Sequence, residues 1–201
     1  MVYVDDMLIG WRSIAICDAI LSAFRDIWEL SAQKQLGVSS PLLFLGLEIE
    51  MCKDTKDMII HQRTFTKVVL ARHGVDKLFK PLANISIPQP DADDGPPGPQ
   101  ELKVLQQYSG EFNWLATRTH MNISYAVSLI ASASSKFGRW TLVLCKKLLR
   151  YILHTADQVM RYPAAGREED LWAWSDAGYG GLGSKSQTGV VIAWGGAVIT
   201  W

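Results

Sequence analysis

Two hydrophobic rhythms run along the chain, and the places where one gives way to the other divide it into elements. Met1-Val-Tyr-Val is strand-like, and Met7-Leu-Ile9 resumes apolar character after two aspartates. This predicts a hairpin with Asp5 and Asp6 at its tip. Cys17, Ile20, Leu21, Phe24, Ile27 and Trp28 then recur at helical spacing, which predicts a helix from about Ser13 to Leu30 with one apolar face. Gly37 to Pro41 reads as a turn and Leu42 to Met51 as a strand of mixed burial. The polar turn Lys53 to Asp57 leads into a partner strand at Met58-Ile-Ile60. Thr64 to His73 predicts a helix, with Gly74 standing where a C-terminal cap belongs.

Residues 88–100 hold five of the eight prolines and three aspartates, and read as a linker. Beyond it, Leu105, Tyr108, Phe112 and Leu115 form one helical stripe. After a break near His120 a shorter helix runs to about Ser134, and another from Trp140 to Leu153. Leu171 to Asp176 alternates, the Gly-rich stretch Gly178 to Gly183 follows, and Gly189 to Trp194 and Ala197 to Trp201 read as strands. The order predicts an α+β fold: strands and helices, a linker, helices, then the opening strands of a further sheet.

Composition narrows the class without naming a function. The chain has 201 residues, 48% hydrophobic and 20% charged, which suits one globular domain or two small ones. It holds no run of about 18 apolar residues, which excludes a membrane-spanning helix, and no secretory leader pattern. Cys17, Cys52 and Cys145 are scattered without metal-ligand spacing and point to reduced thiols in an intracellular setting. Twenty Lys and Arg balance twenty Asp and Glu, which counts against a self-sufficient nucleic-acid binder. Two local basic stretches stand out, one with Arg63, Lys67, Arg72, Lys77 and Lys80, the other with Lys136, Arg139, Lys146, Lys147 and Arg150. Taken alone they are solvated helix faces.

Tyr3-Val-Asp-Asp6 carries the most chemistry. Two adjacent carboxylates repel unless a cation sits beside them. Because strand side chains alternate, Asp5 and Asp6 do not face one ligand equally, so a two-magnesium site would need a third carboxylate from elsewhere. An ordinary Asp-Asp turn accounts for the tetrapeptide equally well.

Downstream segments favour the first account. Tyr3-Val-Asp-Asp6 followed by Met-Leu-Ile and an amphipathic helix resembles the reverse-transcriptase palm motif of copia-type LTR retrotransposon polymerase polyproteins. Phe44-Leu-Gly-Leu-Glu-Ile49 resembles the strand that positions the primer end, where Gly46 permits close backbone approach. Ile60-His-Gln-Arg63 with Phe65, Tyr108-Ser-Gly-Glu-Phe-Asn-Trp-Leu-Ala116, Ile123-Ser-Tyr-Ala-Val-Ser128 and Arg150-Tyr-Ile-Leu-His-Thr155 resemble successive segments of the same family. Trp174-Ser-Asp-Ala-Gly-Tyr-Gly-Gly181, Ser186-Gln-Thr-Gly189 and Thr200-Trp201 resemble the opening of its ribonuclease H domain. The resemblance covers nearly the whole chain in the right order.

It implies a division into a C-terminal part of the palm at 1–87, the linker at 88–100, a helical thumb and connection at 101–160, and the first strands of a ribonuclease H-like domain at 168–201. It implies catalytic and metal-binding roles for Asp5, Asp6 and Asp176 with Mg2+. It also implies contact with an RNA template and DNA primer, or an RNA–DNA hybrid, through Tyr3, Phe44, Leu45, Gly46, Gln62, Lys146 and Lys147. By the same resemblance the location is cytoplasmic, and the fingers, the partner palm carboxylate and the remaining ribonuclease H carboxylates lie outside these residues. The chain alone is therefore expected to be inactive.

Two nucleotide-binding patterns are decoys. Gly178-x-Gly180-x-x-Gly183 is followed by a strand and not by a helix N-terminus, and Gly183-Ser-Lys-Ser186 displaces the P-loop lysine. Departures from the family occur at Thr119-His-Met-Asn-Ile123, where T-R-P-D-I is usual, and at Gly178, where an acid is usual. They suit a decaying element. The alternative function is a non-catalytic, domesticated or relic fragment acting as a nucleic-acid or protein-interaction module.

Overall fold

The computed structural model describes residues 2–3, 6–11, 13–75, 80–91, 93–164, 170–178 and 186–201. Val2–Tyr3 (β1) pairs antiparallel with Asp6–Met7 (β2), Val2 opposite Met7 and Tyr3 opposite Asp6. Asp6 therefore opens the return strand. Ile14–Arg25 forms α1, which stops short of the predicted Leu30. Its last turn tightens, because the N–H groups of Ile27 and Trp28 both donate to the Phe24 carbonyl, at 3.1 and 2.9 Å. Of the predicted apolar face, Cys17 and Leu21 are buried, whereas Ile20, Ile27 and Trp28 remain exposed.

The single strand predicted from Leu42 to Met51 is two strands, Leu42–Phe44 (β3) and Leu47–Met51 (β4). Leu45 and Gly46 between them have φ of 51° and 74°. Two successive left-handed residues reverse the chain with the twist a tight hairpin needs, and an unbroken apolar run conceals that reversal. Met58–His61 (β5) pairs with β4, and Met160–Tyr162 (β6) pairs with β5 in turn. The sequence pattern gave no sign of β6. It returns from beyond the helical block to complete a four-stranded antiparallel sheet, so residues 1–87 do not close their sheet alone.

Arg63–Arg72 (α2) ends as predicted. Gly74 (φ 65°) donates to the Ala71 carbonyl and Val75 to that of Leu70, the paired bonds of a Schellman cap. At the other end, Glu48 of β4 accepts from the Thr64 backbone N–H at 2.8 Å and from its hydroxyl at 3.1 Å, placing a carboxylate on the helix N-terminus.

Pro99–Ala116 (α3), Ser124–Ala133 (α4) and Gly138–His154 (α5) pack with α2 around the main core. The predicted stripe Leu105, Tyr108, Phe112 and Leu115 is buried, facing Leu144, Leu148 and Ile152 of α5. Each such side chain contributes ~1.5–3 kcal/mol by removal from water. Glu111, also buried, joins α3 to α2. It accepts from Arg72, lies 2.6 Å from His73 Nε2 and accepts from Gln107 at 3.1 Å. Leu171–Gly178 (β7), Gln187–Trp194 (β8) and Ala197–Thr200 (β9) form a separate antiparallel sheet. Trp201 Nε1 donates to the Ala116 carbonyl at 2.8 Å, tying that sheet to the end of α3. The architecture is mixed α+β, and among the described residues no helix is long and apolar enough to cross a membrane.

The proline-rich stretch is a docked strap and not a free linker. Its helix-proximal end, Pro99, is already the first residue of α3. Ile85 and Ile87 pack on the core, and Trp140 Nε1 donates to the Pro88 carbonyl at 2.8 Å. The Asp94 carboxylate accepts the α5 N–H groups of Arg139 at 3.2 Å and Trp140 at 2.6 Å. These donors have no partner inside their own helix, so a residue more than forty positions away caps it. A Cβ on Gly138 would come within 2.9 Å of Pro97 Cβ, which explains the glycine. Asp94→Ala is expected to cost roughly 1 kcal/mol of stability, read as a lowered urea midpoint at unchanged slope.

Candidate nucleic-acid interface

The β3–β4 turn meets α3. Phe44 is buried and anchors the turn, Leu45 is half-buried and Gly46 is exposed. A Cβ on Gly46 would sit 3.8 Å from the Trp114 ring, and the Arg118 guanidinium lies 4.7 Å from that ring's centroid. Turn, indole and guanidinium thus form one stack. The sequence reading missed Trp114 and Arg118, although their spacing of four on a helix is itself a pairing signal.

Beside this stack opens a groove of about 1710 Å³. One wall comes from the end of α3 and the start of α4, including Asn113, Arg118 and Tyr125. The other comes from the β7–β9 sheet, including Trp174, Asp176 and Thr188, and Leu47 of β4 also borders it. Strand alternation puts Trp172, Trp174 and Asp176 on one face of β7. The two indoles stack with centroids 6.2 Å apart, and each is about half exposed, at 55% and 53%.

The predicted metal ligands are not brought together among the described residues. Asp5 lies outside them. Asp6 is exposed on β2 and is not part of the groove wall. Asp176 is exposed in the groove opposite Gly189, with one carboxylate oxygen accepting the Ala177 N–H at 2.9 Å. Asp176 offers a hard oxygen of the kind magnesium takes, but the described residues hold no group of three or more metal-ligating side chains. They do not by themselves fit a two-magnesium site. Tyr3 is placed on β1 by its backbone pairing alone.

The remaining predicted contact residues divide. Gln62 is fully buried, which gives it an interior role and no surface open to a duplex. Lys146 is exposed, whereas Lys147 Nζ donates to the carbonyl and hydroxyl of Ser86 in the strap, at 3.1 and 3.2 Å.

Gln62 belongs to a buried polar joint between α2 and the α3–α4 corner. The Thr119 hydroxyl donates to Gln62 Oε1 at 2.9 Å, so at 2.8 Å it must accept from His120 Nδ1–H. That places a proton on His120 Nδ1. Burial pushes the His120 pKa below its ordinary 6.5, against an opposing pull from the Thr155 backbone. Asn122 Nδ2 donates to the Tyr151 hydroxyl at 2.7 Å. Within Thr119 to Ile123 the residues Thr119, His120 and Ile123 are thus buried, whereas Met121 and Asn122 are exposed.

No known protein family, curated protein or solved structure matches the chain.

Two expectations follow from this geometry. His120 stays neutral when folded, so the unfolded chain binds the extra proton first as pH drops. Stability is full above pH 6.5 and falls as pH descends toward the depressed folded pKa. Glu111 adds a second loss on the same side, below its ordinary 4.5. Burial raises its pKa, but hydrogen bonds from His73, Gln107 and Arg72 and the charge of His73 outweigh burial and lower it. Urea midpoints measured against pH should show both limbs, with the upper one absent in His120→Gln. Separately, Leu45→Asn gives the turn the residue its left-handed φ favours and is expected to raise stability by roughly 1 kcal/mol in the same assay.

Proposed function

We propose that the chain is the palm, thumb and connection portion of a copia-type RNA-directed DNA polymerase, running into the start of its ribonuclease H, and that these residues hold the template–primer duplex. The observation that carries this reading is the Leu45–Gly46 turn. A leucine is kept in a left-handed conformation that asparagine or glycine would adopt at lower cost, at a half-exposed position next to Gly46, which approaches the Trp114 ring. Strain retained at a surface tip is a mark of function. The motif at that tip is the one that resembles the primer-positioning strand.

In this reading Leu45 and Gly46 meet the primer end, Trp114 and Trp174 offer stacking surfaces, and Arg118 and Lys146 neutralise phosphates without reading sequence. A magnesium site of the kind the resemblance implies would need carboxylates beyond the described residues. Polymerisation is not proposed for the 201 residues on their own. A second reading is favoured by exposed apolar surface on α1, where Ile14 and Ile16 are 62% and 59% accessible: a non-catalytic protein-interaction module.

Fluorescence anisotropy with a labelled RNA–DNA primer–template hybrid separates the two. The first reading expects affinity that falls linearly with log salt, is lost on Lys146→Glu with Lys147→Glu, and drops about 3-fold or more in Leu45→Asn despite its greater stability. Salt-independent or absent binding would overturn it.

A further inference from the structure

We propose that the strap formed by residues 80–91 and 93–98 is a built-in competitor for polyanions: it occupies the donors of α5 that a duplex backbone would take, and it must lift before α5 engages a nucleic acid. This rests on the nucleic-acid reading above and adds a regulatory step to it.

Of the four basic side chains on α5 from Arg139 to Arg150, three direct donors at the strap. The Arg139 guanidinium bonds Asp91 at 3.2 Å, Lys147 Nζ bonds Ser86, and Arg150 Nε donates to the Lys80 carbonyl at 2.8 Å. Only Lys146 stands on the exposed surface without such a bond to the strap. At the N-terminus of α5 the strap's acceptors are carboxylate oxygens. Asp94 sits on the backbone N–H groups of Arg139 and Trp140, and Asp91 on the neighbouring guanidinium. A carboxylate held by helix N–H groups and an arginine satisfies the same donors that a phosphate would.

The contact is registered but not locked. Pro97 against Gly138, the Gly138 N–H on the Gly95 carbonyl at 2.9 Å and Trp140 on Pro88 set where the strap lies. The Arg139–Asp91 pair that shields the helix surface is exposed on both sides, at 68% and 75%, and such pairs are weak in water. A duplex presenting several phosphates together displaces them where a single anion would not. The same contact shows how a locally basic helix sits in a chain of zero net charge: Asp91 and Asp94 of the strap bond to it.

The test uses the full chain and a short fluorescein-labelled RNA–DNA hybrid. Asp91→Asn with Asp94→Asn keeps oxygen acceptors at both places and removes their charge. Gly138→Ala pushes the strap away by contact with Pro97 and leaves every charge in place. Both are expected to bind about 3- to 10-fold tighter than the unaltered chain, with a salt slope steeper by roughly one to three released contacts. Amide exchange at Arg139 and Trp140 should rise in parallel. Asp91→Asn alone leaves the helix cap intact and should give a smaller gain of the same sign, which keeps the test decisive if the double variant folds poorly.

If exchange shows the strap released while affinity stays equal or falls, and binding by the unaltered chain remains salt-dependent and sensitive to Lys146→Glu, the competitor role is wrong and the nucleic-acid reading stands. If no form binds the hybrid, the nucleic-acid reading falls and takes this role with it.

Discussion

Helix α5 buries one long face in the core, and that burial organises the molecule. Leu144, Leu148 and Ile152 are fully enclosed by the stripe of α3 and by α4. Trp140 and Thr141 begin the same buried face. Its first N–H groups have no partner inside the helix and need one from elsewhere. Asp94 supplies it. The cap in turn brings the proline-rich strap against the helix, and the strap takes up basic side chains that the sequence alone presents as free. One demand for backbone satisfaction thus determines both how the helical block is covered and what its surface offers.

Polar joints then set how the first sheet meets that block. Gln62, Thr119 and His120 form an interior chain of hydrogen bonds, and Glu111 holds Arg72 and His73 of α2 against α3. Apolar packing tolerates sliding, whereas buried hydrogen bonds hold only in a narrow geometry, although Gln62 Nε2 and His120 Nε2 are left without partners among the described residues. Each joint also depends on a protonation state, since His120 works as a neutral ring and Glu111 as a carboxylate. The segment Thr119 to Ile123 contributes Thr119 and His120 to this joint. There Thr119 and His120 are buried, whereas Met121 and Asn122 stand at the surface, Asn122 donating to the Tyr151 hydroxyl.

The candidate interface is built from both sides of this framework. The β3–β4 turn, Trp114 and Arg118 contribute one stack, and the tryptophans of β7 contribute another across the groove. Stacking surfaces with few free cations explain how zero net charge coexists with a nucleic-acid reading: affinity would come from ring contact and from cations presently engaged elsewhere.

Local pattern determined much of this protein. The stripe of α3, the stop of α2 at Gly74, the break near His120 and the three strands of the last sheet were legible, because side-chain periodicity and glycine punctuation act over a few residues. Other features were decided by tertiary structure. The turn at Leu45 lies inside an apolar run, β6 pairs with a strand about a hundred positions earlier, and Asp94 caps a helix that begins far along the chain. Gln62 was read as a contact residue because a motif resembles one, and in the fold it is buried and accepts from the Thr119 hydroxyl. The common reason is range: periodicity reports which face of an element is apolar, but what covers that face, and which polar group answers an open hydrogen bond, depends on partners brought close only by the fold.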